Sequence, residues 1–205
     1  MHAGTTFHNE IETYAADLQS SLNALSLEHV RQVADLCASA YYDDCVIYTC
    51  GNGGSAATAS HLAVDLSKAT RYPGAAPVRA LSLADQVPAL TAWANDHSYD
   101  TVFSSQLEAL GRPGDLLVVL SASGNSPNVL EALRQARKLA MRTVGLLGAS
   151  GGQAAELCDV WVAAPAHDIE QQEDIHMSLA HMLTRCLRNA VAARCRESLA
   201  AEHAE

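Results

Sequence analysis

The spacing of apolar residues divides the chain into an N-terminal helical segment and a longer segment of alternating short runs. From residue 8 to residue 40, apolar residues recur at steps of three and four, which indicates amphipathic helices. A break in this pattern near residues 26–28 predicts two helices, with Ser26 as a possible N-cap of the second. These helices either cover a face of the following sheet or pack against another subunit. We favour the subunit contact, because an apolar stripe would otherwise be exposed.

From residue 45 onward, continuous apolar runs alternate with helical patterns. Runs of Val, Ile and Leu that are separated by helices predict a parallel sheet covered on both faces. We expect one α/β domain over residues 1–205, with a doubly wound, five-stranded parallel sheet flanked by helices and a helical extension over residues 1–43. The predicted strands are residues 45–50, 78–83, 116–120, 143–147 and 160–164. The predicted helices are residues 55–68, a segment ending at 93, 100–110, 127–140, 153–157 and 171–199.

Composition narrows the class of protein. Hydrophobic residues make up 49% and charged residues 18%, which is typical of a folded globular chain. The net charge of −10, with 13 Lys and Arg, argues against a nucleic-acid partner, because phosphate backbones attract clustered basic residues. No apolar stretch is long enough to span a membrane, and the first residues show no signal-peptide pattern, so we expect a cytoplasmic protein without a membrane partner. The six cysteines form no Cys-x-x-Cys pair, which predicts free, reduced core thiols.

Two loops rich in glycine and serine are the strongest chemical signal. They are residues 51–55 (Gly-Asn-Gly-Gly-Ser) and residues 121–126 (Ser-Ala-Ser-Gly-Asn-Ser). Each follows a predicted strand and opens a predicted helix, so backbone N–H groups and the positive end of a helix dipole meet at the sheet edge where ligands bind. Neither loop has the lysine of a P-loop or the Gly-x-Gly-x-x-Gly motif. The loops therefore predict a site for a phosphate monoester on a small metabolite, and first of all for a phosphosugar.

The second loop also has a plainer interpretation. Ser126 is a suitable N-cap, and Pro127 fits the first turn of a helix. One such loop could be no more than a capped helix after a strand. Two similar loops at one edge of the sheet favour a binding site.

Four residues outside the loops are candidates for metal binding or proton transfer. His61 and Asp65 are four residues apart, so a helix presents both on one face, either as a shared site or as an ordinary surface pair. Glu173 and His181 are eight residues apart, which is about 12 Å along a straight helix. Either Glu173 reaches from the start of its helix, or a neighbouring subunit supplies one ligand. We expect His176, between them, either to pack in the core or to hold a neighbouring ligand residue in place.

The motifs together resemble the SIS (sugar isomerase) domain family, and within it the sedoheptulose 7-phosphate isomerase, or phosphoheptose isomerase, group. The matching stretches are the two loops, His61 with Asp65, residues 92–96, residues 151–152, and residues 173–176 with His181. The resemblance covers nearly the whole chain. It implies an aldose–ketose isomerase that converts D-sedoheptulose 7-phosphate to D-glycero-D-manno-heptose 7-phosphate through an enediolate. It also implies a homotetramer with active sites at subunit interfaces.

The resemblance assigns roles to individual residues. It implies that Ser55, Ser121, Ser123 and Ser126 hold the phosphate. The remaining substrate-binding residues would be Asn52, Gly53, Asn95, Asp96, Ala122 and Glu173. A zinc ion, Zn(2+), would be held by His61, Asp65, Glu173 and His181. Residues 95 and 96 have an alternative role, which is to end a helix.

Three residues depart from the usual pattern of the family. Asp65 stands where most members have Glu, Glu173 where most have Gln, and Ala122 where threonine is common. Carboxylates and imidazoles remain suitable zinc ligands. The departures keep two alternatives open: an isomerase for a different phosphosugar, and a non-catalytic SIS protein that binds a phosphosugar or a partner protein.

The expected reaction needs a base near C1 and C2 and a group that stabilises the developing oxyanion. We expect His181 to be the base, because an imidazole titrates near neutral pH. Asp65, or else Glu173, would be the partner acid unless it ligates the metal. Zinc would act as a Lewis acid on the substrate oxygens.

Overall fold

Two helices precede the sheet, as predicted. The computed structural model describes residues 3–202, and side chains from residue 7 to residue 201. Helix α1 spans Ala3–Asn23 and α2 spans Leu27–Tyr42. Ser26 is the N-cap of α2, and its hydroxyl accepts a hydrogen bond from the His29 N–H at 3.4 Å. Helix α2 therefore begins directly after Ser26, because the Ser26 hydroxyl satisfies a backbone N–H of its first turn.

The predicted five-stranded parallel sheet is confirmed. Its strands are β1 (Ile47–Cys50), β2 (Ala80–Ser82), β3 (Leu116–Ser121), β4 (Arg142–Gly148) and β5 (Val160–Ala164). They pair in parallel in the order β2-β1-β3-β4-β5. The chain moves from β1 to one side of the sheet and then returns to the other side through β3. The β1–β3 junction is therefore the topological switch point, where ligands of such sheets bind.

The first strand begins two residues later than predicted. Cys45 and Val46 are apolar and continue the run, but the Val46 N–H donates to the Asp115 carboxylate at 2.7 Å. Asp115 also accepts the Arg112 N–H at 2.8 Å. This buried carboxylate caps the amino end of the sheet, which an apolar pattern does not reveal.

The helices that follow β1 agree with prediction in type and differ at their ends. They are α3 (Gly54–Val64), α4 (Val87–Asp96), α5 (Ser104–Leu110), α6 (Pro127–Lys138), α7 (Ala154–Leu157) and α8 (Ile169–Glu202). Helix α3 continues into a π-helical turn, Asp65–Ala69, and a 3₁₀ turn, Tyr99–Thr101, lies between α4 and α5. Single π-helical turns are often found at functional sites. This one places Asp65.

Helices bury both faces of the sheet. Along β3, Leu116 and Val118 pack into a core with α2, α3 and α8, whereas Leu117 and Val119 pack into a second core with α5 and α6. Alternate residues of one strand thus enter different cores, which explains its continuous apolar run. Among the described residues, no helix is both long and apolar enough to cross a membrane.

The two N-terminal helices differ in what they cover. Helix α2 buries Val33 and Cys37 against the sheet and α8, so the sheet-covering alternative is right for this helix. Helix α1 leaves Phe7 and Ile11 exposed, with fractional exposures of 66% and 69%. The subunit contact expected for residues 1–43 therefore remains a prediction that concerns α1.

The cysteines are free thiols in the described chain, as expected. Cys37, Cys50 and Cys195 are buried, whereas Cys186 is exposed, so the expectation of core thiols is wrong for Cys186. Burial raises the pKa of the Cys37 thiol to about 12. A thiol in this state is protonated and unreactive at neutral pH.

Candidate active site

The two serine loops meet in a pocket at the carboxyl ends of β1 and β3. The pocket has a volume of about 180 Å³. Its lining residues are Asn52, Ser55, Leu120, Ser121, Ala122, Ser123, Ser126, Ile169 and Glu173. All four serines expected to hold phosphate line this one cavity, hereafter the serine pocket. The predicted convergence of the loops is therefore present within a single chain.

Two glycines give the first loop its shape. Gly53 is the N-cap of α3 and has φ +56°, a conformation that glycine adopts without strain. At Gly54, any side chain would overlap the carboxylate of Glu173. The loop therefore brings the first turn of α3 close to Glu173, and backbone N–H groups at this helix start favour an anion.

The serine hydroxyls differ in their existing hydrogen bonds. The Ser121 oxygen accepts the Gly124 N–H at 3.1 Å, and the Ser123 oxygen accepts the Asn125 N–H at 3.2 Å. Ser126 is the N-cap of α6, as predicted, but its hydroxyl makes no capping hydrogen bond. Each of these hydroxyls keeps its own proton for donation to an anion. Ser126 is thus better suited to ligand binding than to capping.

A hydrogen-bonded amide pair joins the first loop to α6. Asn52 Nδ2 donates to Asn128 Oδ1 at 2.9 Å, and Asn128 Nδ2 donates to Asn52 Oδ1 at 2.8 Å. The Tyr99 hydroxyl also donates to Asn52 Oδ1, at 2.9 Å. Sequence reasoning missed Asn128 and Tyr99. The position of Asn128, two residues after Ser126, could have indicated that it lies near the pocket. Nothing in the sequence indicated this for Tyr99.

A second group of polar side chains lies further along α3. His61 Nε2 is 3.1 Å from His181 Nε2 and 3.4 Å from Asp65 Oδ2. One potential ligand atom from each of these residues lies within 4.8 Å of the others. Helices α3 and α8 are packed together, which brings His181 to the pair predicted from i,i+4 spacing. We call His61, Asp65 and His181 the His–Asp–His group.

This group fits a zinc ion in both chemistry and spacing. Zinc binds imidazole nitrogen at about 2.0–2.1 Å with tetrahedral geometry, which puts neighbouring ligand atoms about 3.3 Å apart. His61 Nε2 lies 3.1 Å from His181 Nε2 and 3.4 Å from Asp65 Oδ2, and these two separations lie on either side of that value. Two histidines and one carboxylate are also the ligand set of many catalytic zinc sites, whose fourth position is open.

Glu173 is not part of the His–Asp–His group. It lies near the start of α8, and its carboxylate faces Gly54 in the serine pocket. Of the four metal ligands implied by the family resemblance, one chain therefore brings three together. The long reach expected of Glu173 leads to the serine pocket, and its role as a fourth ligand stays a prediction.

Two expected substrate contacts belong to neither the serine pocket nor the His–Asp–His group. Asn95 and Asp96 end α4, and Asn95 Nδ2 donates to Asp96 Oδ1 at 2.8 Å. Neither residue lines the serine pocket. In a single chain, Asn95 and Asp96 end a helix, which was the alternative to substrate binding in the sequence analysis. Their contact with substrate stays a prediction.

His176 is a packing residue, as expected. Its side chain is fully buried. Burial lowers the pKa of His176 below its usual value. The imidazole is therefore neutral at neutral pH.

Helix α1 is connected to α8 close to Glu173. The Tyr14 hydroxyl donates to Asp174 Oδ2 at 2.7 Å, and this hydrogen bond raises the pKa of Tyr14 to about 12. The N-terminal extension thus contacts the helix that carries Glu173 and His181.

Known proteins resemble this chain in both sequence and fold. The SIS domain profile matches residues 12–148. A phosphoheptose isomerase from Rhodospirillum rubrum is 44% identical over 143 residues, which cover 69% of this chain and 75% of that protein. A phosphoheptose isomerase from Mycobacterium tuberculosis is 37% identical over 181 residues, which cover 88% of this chain and 92% of that protein. The structure of a phosphoheptose isomerase from Neisseria gonorrhoeae matches with a TM-score of 0.82 at 33% identity. The match covers 91% of this chain and 98% of that one. The chain therefore belongs to the SIS-domain family and, within it, to the phosphoheptose isomerase group.

Proposed function

We propose that this protein is an aldose–ketose isomerase that converts D-sedoheptulose 7-phosphate to D-glycero-D-manno-heptose 7-phosphate. The observation that carries the proposal is the placement of the serine pocket and the His–Asp–His group along one helix. Ser55 and His61 are six positions apart on α3, about 9 Å along its axis. That separation is comparable to the length of a sugar chain between its phosphate and its reactive carbons.

The two groups have complementary roles in this reaction. The serine hydroxyls and the N–H groups at the start of α3 would hold the phosphate, which fixes the position of the far end of the sugar. While its Nε2 is free of metal, His181 would move the proton between C1 and C2, with Asp65, or else Glu173, as its acidic partner. Fixing the phosphate turns proton transfer into a reaction within one complex, which lowers the entropic barrier.

We further propose that zinc is the metal of this site, held by His61, Asp65 and His181. When bound, the ion would polarise the substrate oxygens as a Lewis acid. His181 Nε2 cannot hold a metal and accept a proton at once. Zinc ligation and base catalysis are therefore alternatives for that nitrogen, and the dependence of rate on zinc concentration distinguishes them.

We also propose a homotetramer with active sites at subunit interfaces. The exposed Phe7 and Ile11 support it, because they are four residues apart on one face of α1 and so form an apolar patch that a partner could cover. Helix α4, which carries Asn95 and Asp96, has no buried residue of its own and would gain contacts in the same way. Sedimentation velocity of the full chain tests the assembly, and a monomer at micromolar concentration would contradict it.

One observation favours a second candidate, an isomerase for a different phosphosugar. Glu173 and Ala122 both line the serine pocket, and both depart from the family pattern. A panel of ketose phosphates with five, six and seven carbons, assayed with zinc-supplemented protein, decides between the candidates. We expect the highest kcat/KM with sedoheptulose 7-phosphate. A shorter substrate preferred by tenfold or more would favour the second candidate.

A further inference from the structure

We propose that Asn128 and Tyr99 are positioning residues of the serine pocket, which hold Asn52 and thereby fix the first loop against the second. The identity of the bound anion as a phosphosugar rests on the proposed function. The positioning itself concerns any phosphate bound between the two loops.

The hydrogen bonds of Asn52 show that its side chain is already committed. Its Oδ1 accepts two hydrogen bonds, from Asn128 Nδ2 at 2.8 Å and from the Tyr99 hydroxyl at 2.9 Å. Its Nδ2 donates to Asn128 Oδ1 at 2.9 Å. A carbonyl oxygen has two lone pairs, so Oδ1 is saturated and one N–H remains. Asn52 therefore contributes to substrate binding mainly by shaping the loop, which refines its expected role as a substrate contact.

The pair crosses the switch point of the sheet. Asn52 follows β1 by two residues, and Asn128 is the second residue of α6, directly after the loop that follows β3. Short, planar amides that bond reciprocally allow little change in the distance between their backbones. The two loops therefore move together, and the serine hydroxyls keep the spacing that an anion needs.

Burial distinguishes the two partners of Asn52. Asn128 is 2% exposed, so its amide must be bonded within the protein. Tyr99 is 55% exposed and belongs to the 3₁₀ turn between α4 and α5. Its hydroxyl adds a third segment of the chain to the contact. Loss of the Tyr99 hydroxyl is therefore a mild perturbation, and loss of the Asn128 amide a strong one.

Three variants test the proposal. Asn128→Ala removes the pair. Asn128→Asp keeps the shape and the acceptor but sets an oxygen against Asn52 Oδ1. Tyr99→Phe removes one exposed hydroxyl with little risk to folding. Gln106→Ala is the matched control, because Gln106 is a buried amide that donates to Leu83 and Val102 carbonyls at 3.2 and 2.7 Å, away from the pocket.

The assays separate positioning from simple stability. We would measure the Kd for inorganic phosphate by calorimetry, the KM and kcat for sedoheptulose 7-phosphate, and the melting temperature. We expect both Asn128 variants to raise Kd and KM about tenfold, and Tyr99→Phe about threefold, with kcat within about threefold of wild type. Gln106→Ala should lower the melting temperature with Kd and KM unchanged.

The outcomes also separate this proposal from the proposed function. If the Asn128 variants fold and have the Kd and KM of wild type, the positioning role is overturned. If they do not fold, a wild-type Kd and KM in Tyr99→Phe overturns it instead. A wild-type protein that does not bind phosphate would overturn it as well. A further outcome is that the wild-type protein binds phosphate without isomerising the sugar, while the variants bind phosphate more weakly. That result would support the positioning role and refute the proposed function.

Discussion

Replacing Ser126 with alanine distinguishes a phosphate-binding serine from a helix cap. Ser126 occupies the N-cap of α6, where a serine hydroxyl ordinarily accepts a backbone N–H. Here it makes no such bond and lines the serine pocket instead. Ser126→Ala should therefore weaken phosphate binding and leave the stability of α6 almost unchanged.

The expected magnitudes follow from these contacts. A hydrogen bond to a charged group contributes about 1.5–3 kcal/mol, so its loss should raise the Kd for phosphate and the KM by about 10- to 150-fold. A functioning N-cap serine would cost about 1 kcal/mol on replacement. In a chain of this size that cost lowers the melting temperature by about 2–4 °C. For Ser126→Ala we expect the melting temperature to change by less than about 1 °C.

Ser121→Ala is the informative comparison. Ser121 is 5% exposed, and its oxygen accepts the Gly124 N–H. Its replacement leaves that N–H without a partner, so it should lower the melting temperature by several degrees as well as weaken binding. Calorimetric titration with phosphate and thermal unfolding, both at one protein concentration, measure the two effects. A Ser126→Ala variant that melts 2–4 °C lower and binds phosphate normally would refute the reasoning.

Three further changes have definite expected results. His181→Ala should lower kcat by at least about 100-fold and weaken zinc binding measured by calorimetry; undiminished turnover would exclude His181 as the base. Glu173→Gln removes a negative charge from the serine pocket and should tighten phosphate binding several-fold, whereas an unchanged Kd would mean that the carboxylate turns away in solution. Because burial lowers the pKa of His176, the unfolded chain binds the proton more readily, and the free energy of unfolding should fall as pH drops below about 6.5. Denaturant titrations at several pH values should show this fall in wild type and a smaller fall in His176→Phe. If the free energy of unfolding has the same pH dependence in both proteins, the role of His176 is contradicted.

Local patterns in the sequence predicted the parts of the molecule that local interactions determine. Continuous apolar runs identified the strands because both faces of the sheet are buried, as the two cores around β3 show. The i,i+4 spacing of His61 and Asp65 anticipated their contact, although the π-helical turn that carries Asp65 had no signal in the sequence.

Contacts between distant segments could not be predicted in the same way. The pairing of Asn52 with Asn128 joins residues 76 apart, and it depends on β1 and β3 being neighbours in the sheet. The direction of Glu173 depends on how α8 packs against α3, so spacing along α8 did not reveal that it enters the serine pocket. Sequence spacing limits the reach of a side chain, and tertiary packing decides where it goes.

Proton NMR of the zinc-supplemented protein with sedoheptulose 7-phosphate in heavy water tests the proposed isomerisation most directly. We expect new anomeric signals of an aldoheptose 7-phosphate, with deuterium at C2 where the transferred proton exchanges with solvent, and no conversion by His181→Ala. Conversion with complete retention of the substrate proton would still establish the isomerase. Folded, zinc-bound wild-type protein that produces no aldose would contradict the proposed function.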